Sequence, residues 1–266
     1  MGQLKNKKLF LLDMDGTIYI DTELFDGTLD FLSRVRDTGG RYLFLTNNSS
    51  KGVDAYVKKL ASMGIAATED DFLTSVNATV VYLRQNFSDA LIYASGTRSF
   101  VEQLRESGLN ITTELSDDIG CFVMGFDTEL TFDKLERACI ILNRGVPYIA
   151  TNPDPVCPTW YGSVPDCGSV ADMLYNATKR RPKFIGKPSP EMINLALEKT
   201  GYSRDEAVIV GDRLYTDIRS GVNAGISTAF VLSGEGTLED LKDYDFSPTY
   251  IFKNIRQMYN DLISED

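Results

Sequence analysis

Short, unbroken apolar runs that stop on polar residues recur along this chain, and they narrow its possible folds more than any other feature. Leu9–Leu12 runs straight into Asp13, followed by Asp15, Gly16 and Thr17 in LFLLDMDGT. Residues 42–45 lead into Thr46, Asn47, Asn48, Ser49 and Ser50, and residues 207–210 into Gly211 and Asp212. A run apolar at every position has no wet face, so it reads as a strand covered on both sides, as in a parallel sheet. Between the runs, apolar residues recur at helical spacing, as in Leu29, Leu32 and Val35, then Val53, Tyr56, Val57, Leu60 and Met63. Strands alternating with helices predict an α/β fold with a doubly wound, Rossmann-like parallel sheet and right-handed crossovers. Such sheets bind their ligands beyond the carboxyl ends of the strands, where these polar residues lie.

The pattern starts afresh near residue 90. A strand in ALIYA, a helix over 97–107, a strand in IGCFVMGF, a helix over 132–143 and a strand in VPYIA form a second α/β unit of their own. The expected organisation is a core built from 1–84 and 182–266, with an α/β domain inserted at 85–181. Residues 74–83 read as the last core helix before the insertion, and a short strand at Phe184 as the return to the core. Residues 151–168, TNPDPVCPTWYGSVPDCG, are dense in Pro, Gly and aromatics, and read as a long irregular segment of functional or lid type.

Several chemistries are excluded. The chain of 266 residues carries no histidine, which removes Ser-His and Cys-His nucleophile pairs, phosphohistidine and most zinc sites. A formal net charge of −11 argues against nonspecific binding to nucleic acid or to an anionic membrane. No apolar run approaches spanning length, and MGQLKNKK has neither a signal-peptide shape nor, with Asn6 at the sixth position, a myristoylation signal. Cys121, Cys139, Cys157 and Cys167 form no C-x-x-C pair and are expected to be reduced, in a cytoplasmic protein.

Four core segments then end in polar groups: Asp13 and Asp15, Thr46 and Asn47, Lys187 in GKPSP, and Asp212 with Asp217. Each has a bland reading. D-G is a common turn, TNNSS could simply cap a helix, and Asp217 could be a helix-start carboxylate. Gathered on one sheet edge they suit phosphoryl transfer. Thr46, Asn47 and Lys187 supply donors for a tetrahedral anion. Clustered carboxylates without histidine call for a hard, oxygen-loving cation, Mg²⁺. A carboxylate can then act as nucleophile, with a second carboxyl as acid and base.

DMDGT at 13–17, TNNSS at 46–50, Lys187 in GKPSP, and GDRLYTD at 211–217 resemble the four motifs of the haloacid dehalogenase (HAD) superfamily. The D-x-D-G-T form is similar to that of its phosphatase members. True dehalogenases typically lack the second Asp. The insertion resembles a type IIA cap. LTNNSS, GFD at 125–127, TNPDP at 151–155 and GKPSP at 186–190 most resemble the NagD-type, 4-nitrophenylphosphatase-like branch. The resemblance spans essentially the whole chain. It implies Asp13 as nucleophile and metal ligand, and Asp15 as general acid/base that also binds metal through its backbone carbonyl. Thr46 and Asn47 would hold the phosphoryl group, Lys187 would offset charge, and Asp212 would complete the protein's metal ligands. Asp217 would orient the metal's waters or Lys187, and Arg213 to Thr216 would line the substrate side.

One stretch departs from the family. Members often carry a P-T and then a P-G-A-G-like turn, where this chain has VCPTWYGSVPDCGS. Trp160, Tyr161, Asp166 and Cys167 are expected to face the catalytic mouth and set the leaving group, with the aromatics either stacking on substrate or packing against the cap sheet. The expected activity is hydrolysis of small phosphorylated metabolites (sugar phosphates, glycerol phosphates or nucleotides), with 4-nitrophenyl phosphate as an artificial substrate. The alternative is a catalytically quiet phosphate sensor on the same fold, although a sensor has no need of Asp15. Type IIA relatives often associate through their caps, so a homo-oligomer is compatible with the resemblance.

Overall fold

The structure is a computed structural model that describes residues 4–159 and 161–264. Contacts gather the chain into two compact units. One comprises the described residues up to Thr46, Val53–Leu73 and the described residues from Lys187 onward; the other comprises Asn47–Gly52 and Thr74–Gly186.

In the first unit, six strands form one sheet in the order Tyr250–Phe252, Ser227–Val231, Ala207–Gly211, Leu9–Leu12, Arg41–Thr46, Phe72–Thr74. The pairings of Leu9–Leu12 with both neighbours are parallel, as are those of Ser227–Val231. Counted in chain order the strands run 3-2-1-4-5-6. The order therefore reverses between Leu9–Leu12 and Ala207–Gly211, and a crevice opens there at the carboxyl ends. All four residues of Leu9–Leu12 are buried because both faces are covered. Phe10 and Leu12 join Tyr42, Phe44, Val208 and Val210 in one apolar cluster with Phe31, Leu32 and Val35 of the helix Thr28–Asp37. Leu9, Leu11, Leu43, Leu45 and Ile209 are equally buried and, by strand alternation, face the opposite side.

The second unit has its own five-stranded parallel sheet, ordered Lys183–Phe184, Tyr148–Ala150, Ile119–Met124, Leu91–Ser95, Ile111–Thr112. Helices Phe132–Asn143 and Cys167–Thr178 supply Ile141, Leu142, Cys167, Ala171 and Leu174 to a cluster with Phe122, Met124, Tyr148 and Ala150.

Three local readings differ from the sequence pattern. Phe72–Thr74 is a core edge strand, too short to show a period, and Thr74 ends it as the N-cap of the helix Ser75–Asn86, its side chain accepting from the Asn77 N–H. That helix groups with the second unit rather than the core. Lys183–Phe184 pairs with Tyr148–Ala150, so it belongs to the second sheet and not to the return of the first. Residues 151–168 are not irregular throughout. Val156–Thr159 and Gly162–Pro165 form an antiparallel hairpin, and Asp166 caps the helix that follows. The hairpin's alternation is hidden because neither strand buries a full face. Among the described residues no helix is long and apolar enough to cross a membrane.

Candidate active site

The crevice between the first and fourth core strands collects the carboxylates. The Asp13 N–H donates to the Val210 carbonyl at 2.9 Å, which carries the parallel pairing one residue beyond the strand and sets Asp13 beside Gly211 and Asp212. The chain then turns sharply, with the N–H groups of Thr17 and Ile18 both donating to the Met14 carbonyl. Gly16 sits in this turn at φ +83°, and a Cβ there would lie 2.5 Å from Asp212 Oδ2. Only glycine offers both the left-handed backbone and the room. Gly234 closes from the other side, where a Cβ would reach within 2.0 Å of the same oxygen. Thr17 Oγ1 donates to Asp212 Oδ1 at 3.1 Å, and the Glu235 N–H donates to Oδ2 at 2.8 Å. Two loops thus fix the Asp212 carboxylate in one orientation.

Lys187 is the second centre. Its Nζ donates to Asp13 Oδ1 at 2.5 Å, to Asp217 Oδ1 at 2.6 Å and to the Leu45 carbonyl at 3.4 Å, and its side chain is almost wholly buried. Asp217 lies in a π-helical turn, Leu214–Ile218, where its other oxygen accepts the Arg213 N–H at 3.2 Å. Such widened turns are frequent at functional sites because they re-aim a side chain. One ammonium therefore bridges two carboxylates that lie 204 residues apart in the chain.

Carboxylate oxygens of Asp13, Asp212 and Asp217 all lie within 4.8 Å of one another, with Asp212 and Asp217 buried. Burial pushes the Asp212 carboxyl up to about 6, with the charge of Asp13 adding and the Glu235 N–H pulling back. Burial pushes Asp217 up to about 7, again with Asp13 adding and Lys187 opposing. Burial works against the Lys187 charge, but Asp13 and Asp217 outweigh it and hold the ammonium above its ordinary range. Three crowded carboxylates offset by one ammonium, with oxygen ligands alone, fit a hard divalent cation. The Asp217 carboxylate lies within that group, with one oxygen on the Lys187 ammonium and the other on the Arg213 N–H.

Asp15 stands apart. Its carboxylate lies outside that group, with Oδ2 accepting from the Tyr19 hydroxyl at 3.1 Å and Oδ1 3.5 Å from Lys59 Nζ. Desolvation by the surrounding chain raises its pKa, Lys59 pulls it back, and Asp13 raises it further. Neither Tyr19 nor Lys59 stood out in the sequence. Tyr19 reads as one more apolar position, and Lys59 follows Lys58 on an ordinary amphipathic helix.

The remaining expected residues divide. Thr46 is buried at its strand end, next to the Leu45 carbonyl that accepts from Lys187. Asn47 is the first residue of the second unit, and its side-chain amide donates to Asp154 at 2.7 Å. Asp154 also accepts from Asn152, which in turn donates to Asp166. Arg213 pairs with Glu235 at 2.9 Å, and Thr216 is buried within the π-helical turn. Trp160 lies outside the described residues, and Tyr161 is exposed. The expectation that Asp166 and Cys167 face a catalytic mouth does not hold. Both are buried in the second unit, Asp166 capping a helix and Cys167 packed in its apolar cluster. The cause is local: helix capping and core packing use Asp and Cys as readily as a site would. Burial pushes the Cys167 thiol up to about 12, too high for a reactive thiolate at neutral pH.

Residues 10–110 match a family model described as haloacid dehalogenase-like hydrolase, and residues 184–258 match a HAD-hydrolase-like one. An acid sugar phosphatase of Staphylococcus haemolyticus (strain JCSC1435) is 34% identical over 97% of this chain and 98% of its own length. The acid sugar phosphatase of Staphylococcus aureus (strain USA300) is 35% identical over 97% and 99%. Among solved structures, a 4-nitrophenylphosphatase from Thermotoga maritima superimposes with a TM-score of 0.92 at 38% identity, covering 98% of this chain and all of the other. NagD from E. coli K-12 gives 0.86 at 30% identity, covering 94% and 98%.

Proposed function

The chain belongs to the haloacid dehalogenase superfamily, in its NagD-type, 4-nitrophenylphosphatase-like branch, as a phosphoric monoester hydrolase, and from that premise we propose that it is a Mg²⁺-dependent phosphatase of small sugar phosphates acting through an aspartyl phosphate on Asp13. The observation that carries the reading is the cluster of Asp13, Lys187, Asp217 and Asp212 at the sheet's switch point, all but Asp13 buried. The substrate class follows the names of the acid sugar phosphatases that this chain resembles over nearly its full length.

The Asp13 carboxylate attacks phosphorus while the bond from phosphorus to the ester oxygen breaks, and that bond's electrons go to the oxygen. Asp15 gives its proton to the departing oxygen, so a neutral alcohol leaves. Asp15, now a carboxylate, takes a proton from the water that attacks the aspartyl phosphate. Inorganic phosphate and free Asp13 result, which closes the cycle. Lys187 offsets charge on Asp13 and on the incoming phosphoryl group while Asp217 keeps the ammonium in place. Thr46 and the amides that follow it supply donors to the phosphoryl oxygens. Asp13 and Asp212, with Asp217 beside them and the Asp15 backbone carbonyl, would hold Mg²⁺. The ion would neutralise phosphate charge so that an anionic nucleophile can approach.

Inorganic phosphate release tests the reading. The purified protein is expected to hydrolyse 4-nitrophenyl phosphate and at least one sugar phosphate, to stop in EDTA and to recover with Mg²⁺. A protein that binds these esters but releases no phosphate in Mg²⁺ would be the sensor instead.

The metal assignment has a separate signature in stability. Folded Asp212 and Asp217 keep protons that unfolded aspartates release near pH 4, so the folded state binds more protons up to about 7. Their contribution is therefore full below the unfolded pKa and is lost as pH rises through the folded values. Without divalent cation, thermal stability from this pair falls between about pH 5 and about pH 8. Mg²⁺ binds the deprotonated carboxylates, so it is expected to raise Tm more at the higher pH. An equal Mg²⁺ shift at both pH values would remove these aspartates from the metal site.

A further inference from the structure

Three side chains of the core unit close on one another beside the carboxylate group. Tyr19 is wholly buried within the core's apolar cluster, yet its hydroxyl donates to Asp15 Oδ2 at 3.1 Å. Its backbone is fixed as well, since its carbonyl accepts the Gly16 N–H at 2.8 Å and it pairs with Leu24 in a small hairpin. Lys59 reaches from the helix Val53–Ser62, which is seated by buried Tyr56 and Leu60. Its ammonium lies 4.0 Å from the centre of the Tyr19 ring and 3.5 Å from Asp15 Oδ1. Ring and carboxylate together hold a side chain that would otherwise sample many rotamers.

The ion pair in this arrangement adds little to stability. The Asp15 side chain is 61% exposed and that of Lys59 33% exposed, and ion pairs in such settings contribute at most about 1 kcal/mol. The two Asp15 oxygens are instead made unequal. Oδ2 takes a directed hydrogen bond from a rigid buried phenol. Oδ1 meets an ammonium at a distance where charge attracts but a hydrogen bond is weak, so Oδ1 remains open to exchange a proton with substrate or water.

We propose that Tyr19 and Lys59 are positioning residues for the phosphatase reaction, with Tyr19 anchoring Oδ2 of Asp15 and Lys59 aiming Oδ1 at the leaving oxygen. The inference rests on the assignment of Asp15 as acid and base. During ester cleavage the Oδ1–H bond breaks as the alcohol O–H bond forms. In the hydrolytic half the same oxygen receives a proton from water. A carboxyl free to rotate would spend part of its time facing away, and orientation is worth a large share of such a step.

The test compares leaving groups. A 4-nitrophenolate leaves without help, whereas an alkoxide from a sugar phosphate needs the proton. The ratio kcat/KM reports steps through alcohol departure, so hydrolysis of the phosphoenzyme does not enter it. Lys59→Met and Tyr19→Phe are each expected to lower kcat/KM for a sugar phosphate by about tenfold, and for 4-nitrophenyl phosphate by less than about threefold. Lys59→Arg should retain most of the sugar phosphate rate. A uniform loss on both substrates that tracks a lower Tm would overturn positioning in favour of a purely structural role. Should Asp15→Asn show the leaving-group selectivity while the Tyr19 and Lys59 variants do not, positioning falls and the acid role of Asp15 stands. Should Asp15→Asn show no selectivity, the acid assignment falls and the inference with it.

Discussion

Asp13→Asn is expected to lower kcat for 4-nitrophenyl phosphate by about four orders of magnitude or more, with the fold intact by circular dichroism. The size follows from the position of Asp13. It is the residue at the carboxyl end of the first strand that Lys187 holds, and the member of the carboxylate group that is only partly buried. An amide has the same shape but no anionic oxygen to attack phosphorus. Neither Asp217 nor Asp212 is placed to replace it, because Asp217 is sealed at 0% exposure and Asp212 is clasped by Thr17 and Glu235. The substitution also removes one of three crowded charges, so the folded variant should be no less stable than the parent without metal. Turnover near the parental rate would refute the nucleophile assignment and the aspartyl phosphate with it.

Lys187→Met should harm both folding and turnover. Removing one partner from a buried ion pair costs about 3–5 kcal/mol, because the other charge stays buried without compensation. Here two carboxylates lose the same ammonium. A fall in Tm on the order of 10 °C is expected in EDTA at neutral pH. The loss should shrink at acid pH, where Asp217 is protonated and needs no cation. Its carboxyl is already raised, and losing Lys187 raises it further. Activity should fall by about 10²–10³ even where the variant is fully folded, as for loss of one charge-stabilising donor. A Tm unchanged across pH would mean that Lys187 does not hold these two carboxylates together.

Much of the core could be read from the sequence because both of its periods are local. Leu9–Leu12 and residues 207–210 are apolar at every position, which only a doubly covered strand requires, and they lead into Asp13 and, past Gly211, into Asp212. Phe72–Thr74 escaped because a run of three residues has no period to detect, and the short strand at Phe184 is legible while its sheet is not, since two residues carry no sign of their pairing partner. The hairpin at 156–165 escaped because its strands are half exposed and interrupted by Pro158 and Gly162.

Consecutive residues are enough to show which residues end the core strands, and hence that Asp13, Thr46 and Asp212 belong to one end of one sheet; the strand before Lys187 pairs in the other sheet. Strand direction and the side-chain period are enough for that, since both are written into consecutive residues. The tertiary structure alone decided what each side chain faces. It brought Asp217 into the carboxylate group, turned Asp15 toward Tyr19 and Lys59, tied the Asn47 amide to Asp154 and sank Cys167 into an apolar cluster. The physical reason is that a side-chain orientation is set by its hydrogen-bond and packing partners. Those partners lie 44 residues away for Asp15 and Lys59, 107 for Asn47 and Asp154, and 174 for Asp13 and Lys187, beyond the reach of any local pattern.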